Sequence, residues 1–210
     1  MGGLSKTGRR VALAVAALAL AATAAASTIY CWYSHGRGLE QEIARLAFLC
    51  EMQSGTTVAE IGAGQGRMSI RLSRRLGSLS RFYVTEIDGD KLNAIRRAAA
   101  GLPNFVVLQA GEHSSNLPEA CCDVVFMRRV YHHLAGAAAI NQSIYSALRP
   151  GGRMVVIDFI SPRWLFWMRH GIAADVVTGQ VAAAGFSLER RIDRWSPIDY
   201  CLMFRKREQR

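Results

Sequence analysis

Between Val58 and Leu72 the chain reads VAEIGAGQGRMSIRL, and no other stretch restricts the fold as much. A short apolar run ends on a glycine turn flanked by an acid, three glycines follow at alternate positions, and a helical pattern begins at once. Glycines at 62, 64 and 66 remove Cβ atoms, so backbone can approach a ligand closely and take conformations that other residues resist. A strand handing over to a helix through such a loop belongs to α/β architecture. There, ligands lie at the carboxyl ends of the strands, near the switch in strand order.

The chain beyond His35 repeats this alternation. Apolar residues at Leu39, Ile43, Leu46, Ala47 and Leu49–Cys50 have helical spacing, and TTVAEIG reads as a short buried strand. GRMSIRLSRRLG is an amphipathic helix ended by Gly77, RFYVTEI a strand, and DKLNAIRRAAAG a helix closed by Gly101. NFVVLQ, DVVFM and RMVVIDF are further strands, and AGAAAINQSIYSAL and GIAADVVTGQVAAAG further helices, before FSLERRID and DYCLMFRKR. Short apolar strands alternating with helices predict an α/β domain with a largely parallel sheet. At 210 residues the chain has room for one such domain and an appendage.

The appendage is at the front. Residues 1–10 are a basic segment with Lys6, Arg9 and Arg10, and residues 11–34 contain no charge, which is long enough to cross a bilayer as a helix. Tyr30, Trp32 and Tyr33 stand at its far end, as interfacial aromatics do. This predicts a hydrophobic N-terminal helix serving as a single-pass anchor for a domain over 36–210. A cleaved signal peptide is the alternative: an apolar core to about Ala22 and small residues suited to cleavage near Ala26 also fit export.

The net charge of +10 suits an anionic surface, but no dense Lys/Arg block or nucleic-acid-binding motif is present, which argues against nucleic acid as partner. Five cysteines, an odd count with no C-x-x-C pair, indicate neither a disulfide framework nor a zinc site, and no metal is expected. Cys121–Cys122 reads as a pair of small buried residues, with a soft metal or metalloid as the alternative.

Glu86 ends the second strand, 20 residues after Gly66, where an acid can accept both hydroxyls of a ribose. The loop is G-x-G-x-G rather than G-x-G-x-x-G, and no lysine-serine pair follows it, which argues against a pyrophosphate ligand.

In order and spacing, VAEIGAGQGRMSIRLS, FYVTEID, CDVVFMRRVYHHL and LRPGGRMVVIDF resemble the class I S-adenosylmethionine-dependent methyltransferases, over residues 40 to 205. The resemblance implies a Rossmann-like seven-stranded, mostly parallel sheet with helices on both faces and an antiparallel last strand, YCLMFRK. It also implies S-adenosylmethionine as cofactor. Glu60, Gly62, Ala63, Gly64 and Gly66 would line its methionine and ribose side, Glu86 would bind the ribose hydroxyls, and Ile87 would pack on the adenine. Glu112 would sit by the adenine amino group, although QAGEHSSNLP departs from the family's common form by its extra polar residues.

The segment after the fourth strand faces the transferred methyl in this family. His132 and His133 are therefore candidates for orienting a small-molecule acceptor or taking its proton, and Tyr131 for shaping the pocket. Arg128 and Arg129 are candidates for holding an anionic acceptor. The apolar stretch ISPRWLFWMRHG, with His170 beside it, would cover an apolar acceptor or enter the bilayer interface. A quinone-like or lipid-like acceptor suits the anchor. Arsenite and RNA methyltransferases, and a domain that binds without catalysing, are the other readings. Charge placement puts the domain outside the cytoplasm, whereas the cofactor resides within it, so the side of the membrane stays open, as does the oligomeric state.

Overall fold

The computed structural model describes residues 6–35, 37–160 and 171–207. The chain divides into two compact units, Met1–Ala44 and Arg45–Arg210. The first contains helix α1 (Lys6–His35), 30 residues with Val11, Leu13, Val15, Leu18 and Leu20 all exposed. Its span Lys6–Thr28, with mean hydropathy 2.0, is long and apolar enough to cross a membrane. Helix α2 (Arg37–Leu49) runs across the boundary, and its last turn supplies buried Leu46 and Ala47 to the second unit.

Among its described residues the second unit has a seven-stranded sheet in the order β3-β2-β1-β4-β5-β7-β6. Strands β1 (Val58–Ile61) and β2 (Phe82–Glu86) are buried at every position, as the continuous apolar runs of a parallel sheet covered on both faces should be. Strand β1 pairs in parallel with both β2 and β4 (Cys122–Arg128), while β3 (Phe105–Gln109) continues beyond β2 and β5 (Leu148–Phe159) beyond β4. The order therefore reverses between β1 and β4, which opens a crevice at their carboxyl ends. Strand β7 (Asp199–Lys206) inserts antiparallel between β5 and β6 (Phe186–Ile192), as expected for YCLMFRK. Its register sets Tyr200 opposite Asp158 and Asp199 opposite Phe159.

Helices α3 (Arg67–Leu76) and α4 (Gly89–Ala98) connect β1 to β2 and β2 to β3. Helix α3 turns Met68, Ile70, Leu72 and Leu76 inward and leaves Arg67, Arg74 and Arg75 outside, so period and burial agree. Helix α4 starts cleanly because Asp88 accepts from the backbone N–H groups of Asp90 (2.9 Å) and Lys91 (3.0 Å). Helices α5 (Ala137–Ala147) and α6 (Ala174–Ala183) complete the unit. Ile140, Ile144, Val177 and Val181 meet β4, β5 and β7 residues such as Val125, Val156 and Leu202 in the core.

Candidate active site

The crevice is built from the ends of β1, β2, β4 and β5. At β1 the chain turns through Gly62 (φ 65°), Gly64 (φ 59°) and Gly66 (φ 68°), all in the left-handed region. Gly62 is also a contact: a Cβ there would lie 2.7 Å from Cγ1 of Val130, so the loop after β4 presses against the glycine turn. At Gly64 the same direction is open, with no atom within 4 Å, so a ligand can lie against the backbone. Ala63 fixes the turn by donating its N–H to the Thr85 carbonyl at 3.0 Å.

Two buried carboxylates frame this turn. Glu60 accepts from the N–H (3.1 Å) and hydroxyl (2.5 Å) of Ser69, which fastens the first turns of α3 to the end of β1. Glu86 accepts from the N–H groups of Gly64 (2.7 Å), Ile87 (3.0 Å) and Asp88 (3.3 Å). A carboxylate has about four acceptor positions. Holding both hydroxyls of a ribose would therefore displace at least one of these bonds, and the long one to Asp88 is the weakest. Ile87 follows with half its surface exposed, an apolar platform beside the acid. Glu112 is exposed on the loop between β3 and β4, where Gly111 donates to the Ser114 carbonyl at 2.9 Å. The open glycine backbone, the acid and the apolar platform fit a nucleoside carrying a short polar arm.

On the other side of the switch, Tyr131–His133 form a single 3-10 turn. The three residues have different surroundings. Tyr131 is buried in the core; its hydroxyl accepts from Asn141 at 2.8 Å, and burial raises its pKa against that bond. His133 is exposed, its ring 3.9 Å from that of His132. His132 is held: its Nδ1 lies 2.7 Å from Oδ1 of Asp158, and its backbone N–H donates to Oδ2 at 3.0 Å. Asp158 is fully buried and also accepts from the Phe159 N–H at 2.7 Å. Against an ionised carboxylate, Nδ1 carries the proton, which leaves Nε2 as the proton-accepting nitrogen of His132. Across the strand pair, burial and then the Asp158 charge raise the Tyr200 pKa, so this phenol stays protonated and donates to the Ile172 carbonyl at 2.9 Å.

Asp158 was not foreseen from the sequence, although an acid closing the strand RMVVIDF at the ligand edge is a readable signal. The expectation for Arg129 needs correction. Its guanidinium is taken by Asp199 through two 2.8 Å bonds, with side-chain exposures of 7% and 0%, and its backbone is left-handed (φ 57°). Asp199 also accepts from the Ser196 hydroxyl at 2.7 Å. Arg129 is thus a buried brace between the β4 loop and β7 rather than a hold for an anionic acceptor. The stretch around Trp164–Met168 and His170 lies outside the described residues.

The fold and the crevice together define a Rossmann-like α/β domain with a ligand site at its topological switch. A methyltransferase domain family matches residues 59–156, which spans the glycine turn, Glu86, Glu112 and Tyr131–His133 and stops before Asp158, α6, β6 and β7. Over that stretch, slightly under half of the chain, the sequence carries the methyltransferase domain of the class I S-adenosylmethionine-dependent family. It is 25% identical over 114 residues to the ubiquinone/menaquinone biosynthesis C-methyltransferase UbiE of Marinomonas sp., covering 53% of this chain and 45% of that protein. UbiE of Vibrio vulnificus is 24% identical over 111 residues, with coverages of 51% and 43%. The chain thus spans less than half the length of these curated relatives. Among solved structures, a SAM dependent methyltransferase from Aquifex aeolicus superposes with a TM-score of 0.71 at 18% identity, covering 78% of this chain and 89% of that one. A TehB-like SAM-dependent methyltransferase from Corynebacterium glutamicum gives 0.65 at 19% identity, with coverages of 79% and 88%.

Proposed function

We propose that this chain transfers a methyl group from S-adenosylmethionine to a small, apolar acceptor that must lose a proton, with His132 as the base. The observation that carries this reading is the buried pair of His132 and Asp158 at the crevice, 2.7 Å apart. The donor supplies a methyl group already activated on a sulfonium, so most of the protein's task is alignment. Glu86, the backbone at Gly62–Gly66 and Ile87 hold the nucleoside, and Glu112 lies within the same rim. His132 Nε2 takes the proton of an acceptor hydroxyl, and Asp158 stabilises the imidazolium that results. A phenolic ring deprotonated in this way is nucleophilic at carbon, which suits the chemistry named for the UbiE relatives. His133, its ring tilted against that of His132, borders the acceptor space. Helix α1 supports a membrane-associated enzyme acting on a quinone-like precursor, with a cleaved signal as the other use of the same helix.

The test is a calorimetric titration of S-adenosylmethionine into the full chain, followed by a panel of phenols, demethylated quinones, amines and thiols. E86A should weaken cofactor binding. H132A should bind cofactor as the wild type does and lose about 10²–10⁴-fold in transfer to a phenolic acceptor. Absence of binding to the folded chain would overturn the reading. Transfer to amines or thiols undiminished in H132A would assign a different acceptor and remove the base.

A further inference from the structure

The outer side of α3 and α4 concentrates charge that is spread along the sequence. Residues 65–100 hold eight arginines and lysines against three acids, a balance of +5 out of the chain's +10. One of the acids, Glu86, is buried in the glycine turn, and Asp88 is engaged as the cap of α4. Helical spacing brings Arg67, Arg71 and Arg74 onto one stripe of α3. Between that stripe and Ala94 and Ala98 of α4 runs an open groove of about 350 Å³. The small alanines give it depth, and the close seat of Gly66 against Ile95, where a Cβ would come within 3.2 Å, holds the two helices together at one end. Arg74, Arg75 and Arg97 have no ion-pair partner among the described residues. At the end of α3 the turn projects Leu79, 80% exposed, between Arg75 and Arg81. An arginine groove along α3, with a bare leucine on the turn that follows the same helix, is complementary to a surface that is anionic outside and apolar within.

We propose that the α3–α4 face docks on anionic phospholipid headgroups. The groove takes the phosphates and Leu79 enters the interface, as basic and apolar residues combine at bilayer surfaces. The apolar span Lys6–Thr28 supplies the second membrane signal, because a cationic patch alone gives weak, salt-sensitive attachment. The proposal does not depend on the acceptor or on His132.

Arginine footprinting of the full chain tests it. Phenylglyoxal is added with vesicles of phosphatidylcholine alone or with phosphatidylglycerol included, and modification is read at each arginine by mass spectrometry. A guanidinium paired with a headgroup phosphate is shielded from the reagent, so at low salt and saturating lipid the modification rates of Arg71, Arg74 and Arg97 should fall only with the anionic vesicles, and each of these charges should contribute about fivefold to vesicle affinity. Arg190 and Arg194, exposed on and after β6, should not change. Protection should vanish at high salt. In R71E/R74E, with an unaltered circular-dichroism spectrum, Arg97 should lose its protection. Equal rates with the two vesicles would overturn the proposal whether or not α1 inserts. Protection by single-stranded RNA but by neither vesicle would overturn it too, and would assign the groove to nucleic acid.

Discussion

Replacing Asp158 by asparagine separates the base from its orienting group with almost no change in shape. In the wild type the two carboxylate oxygens accept from three donors: His132 Nδ1–H, the His132 backbone N–H and the Phe159 N–H. An asparagine offers one oxygen and one NH2. If the oxygen stays with Nδ1 and Phe159, the NH2 faces the His132 N–H, and a buried donor loses its partner. If the amide flips, the Phe159 N–H is stranded, and Nδ1 must become an acceptor, which moves the imidazole proton to Nε2. One unsatisfied buried donor costs about 1–3 kcal/mol. For a domain of this size that lowers the melting temperature by about 2–4 °C per kcal/mol, so a drop of about 2–12 °C is expected for D158N. Imidazole nitrogen chemical shifts, assigned by comparison with H132Q, should show a protonated Nδ1 in the wild type and a changed tautomer or ring environment in D158N. Cofactor affinity should be unaltered, because the hydrogen bonds of Asp158 go to His132 and Phe159 and not to the glycine turn. A melting temperature within about 1 °C of wild type, together with unchanged shifts, would refute the argument for a held base.

Three further outcomes are expected. G62A should cost about 2–4 kcal/mol in urea unfolding, because left-handed backbone and a 2.7 Å approach to Val130 add together, and V130A should recover part of it; G64A, equally left-handed but in open space, should cost only about 1–2 kcal/mol. R129A leaves Asp199 charged and buried without its guanidinium and should destabilise by about 3–5 kcal/mol in the same assay. Burial pushes the Cys50 pKa up to about 12 against the opposing pull of Arg153, so the unfolded chain ionises first, from about pH 9. The stability from this group is complete below pH 9 and falls by about 1.4 kcal/mol per pH unit between 9 and 12; the unfolding free energy of wild type should therefore drop faster than that of C50A from pH 9 to 11.

What the sequence showed was the part of the site made by neighbours in the chain. Strand, glycine turn, helix and the acid at Glu86 follow one another within 30 residues, and each leaves a local mark in composition or periodicity. The seven strands were legible for the same reason, with their number and the reversed last strand coming from family resemblance. The pairings that complete the site were not legible: His132 and Asp158 are 26 positions apart, and Arg129 and Asp199 are 70 apart. Nothing in the run Arg128–His133 distinguishes the arginine that braces from one that could bind an acceptor, or the tyrosine that packs inward from the histidine that is held. Those distinctions arise from register, since β7 sets Asp199 opposite Phe159 only once the antiparallel strand is in place.

The brace also bears on the order of assembly. During synthesis a domain of this kind gathers from its N-terminal side, so the glycine turn and its acids can form while β7 is still inside the ribosome. Arg129, left-handed and buried, has no counter-charge from Asp199 until that strand emerges. A ribosome-stalled chain ending at Asp193 should therefore gain little from S-adenosylmethionine in protease resistance at the β4 loop, whereas one extended past Lys206 should resist cleavage there. Strand β7 thus acts as a latch: the loop after β4 becomes firm only once that strand has paired with β5.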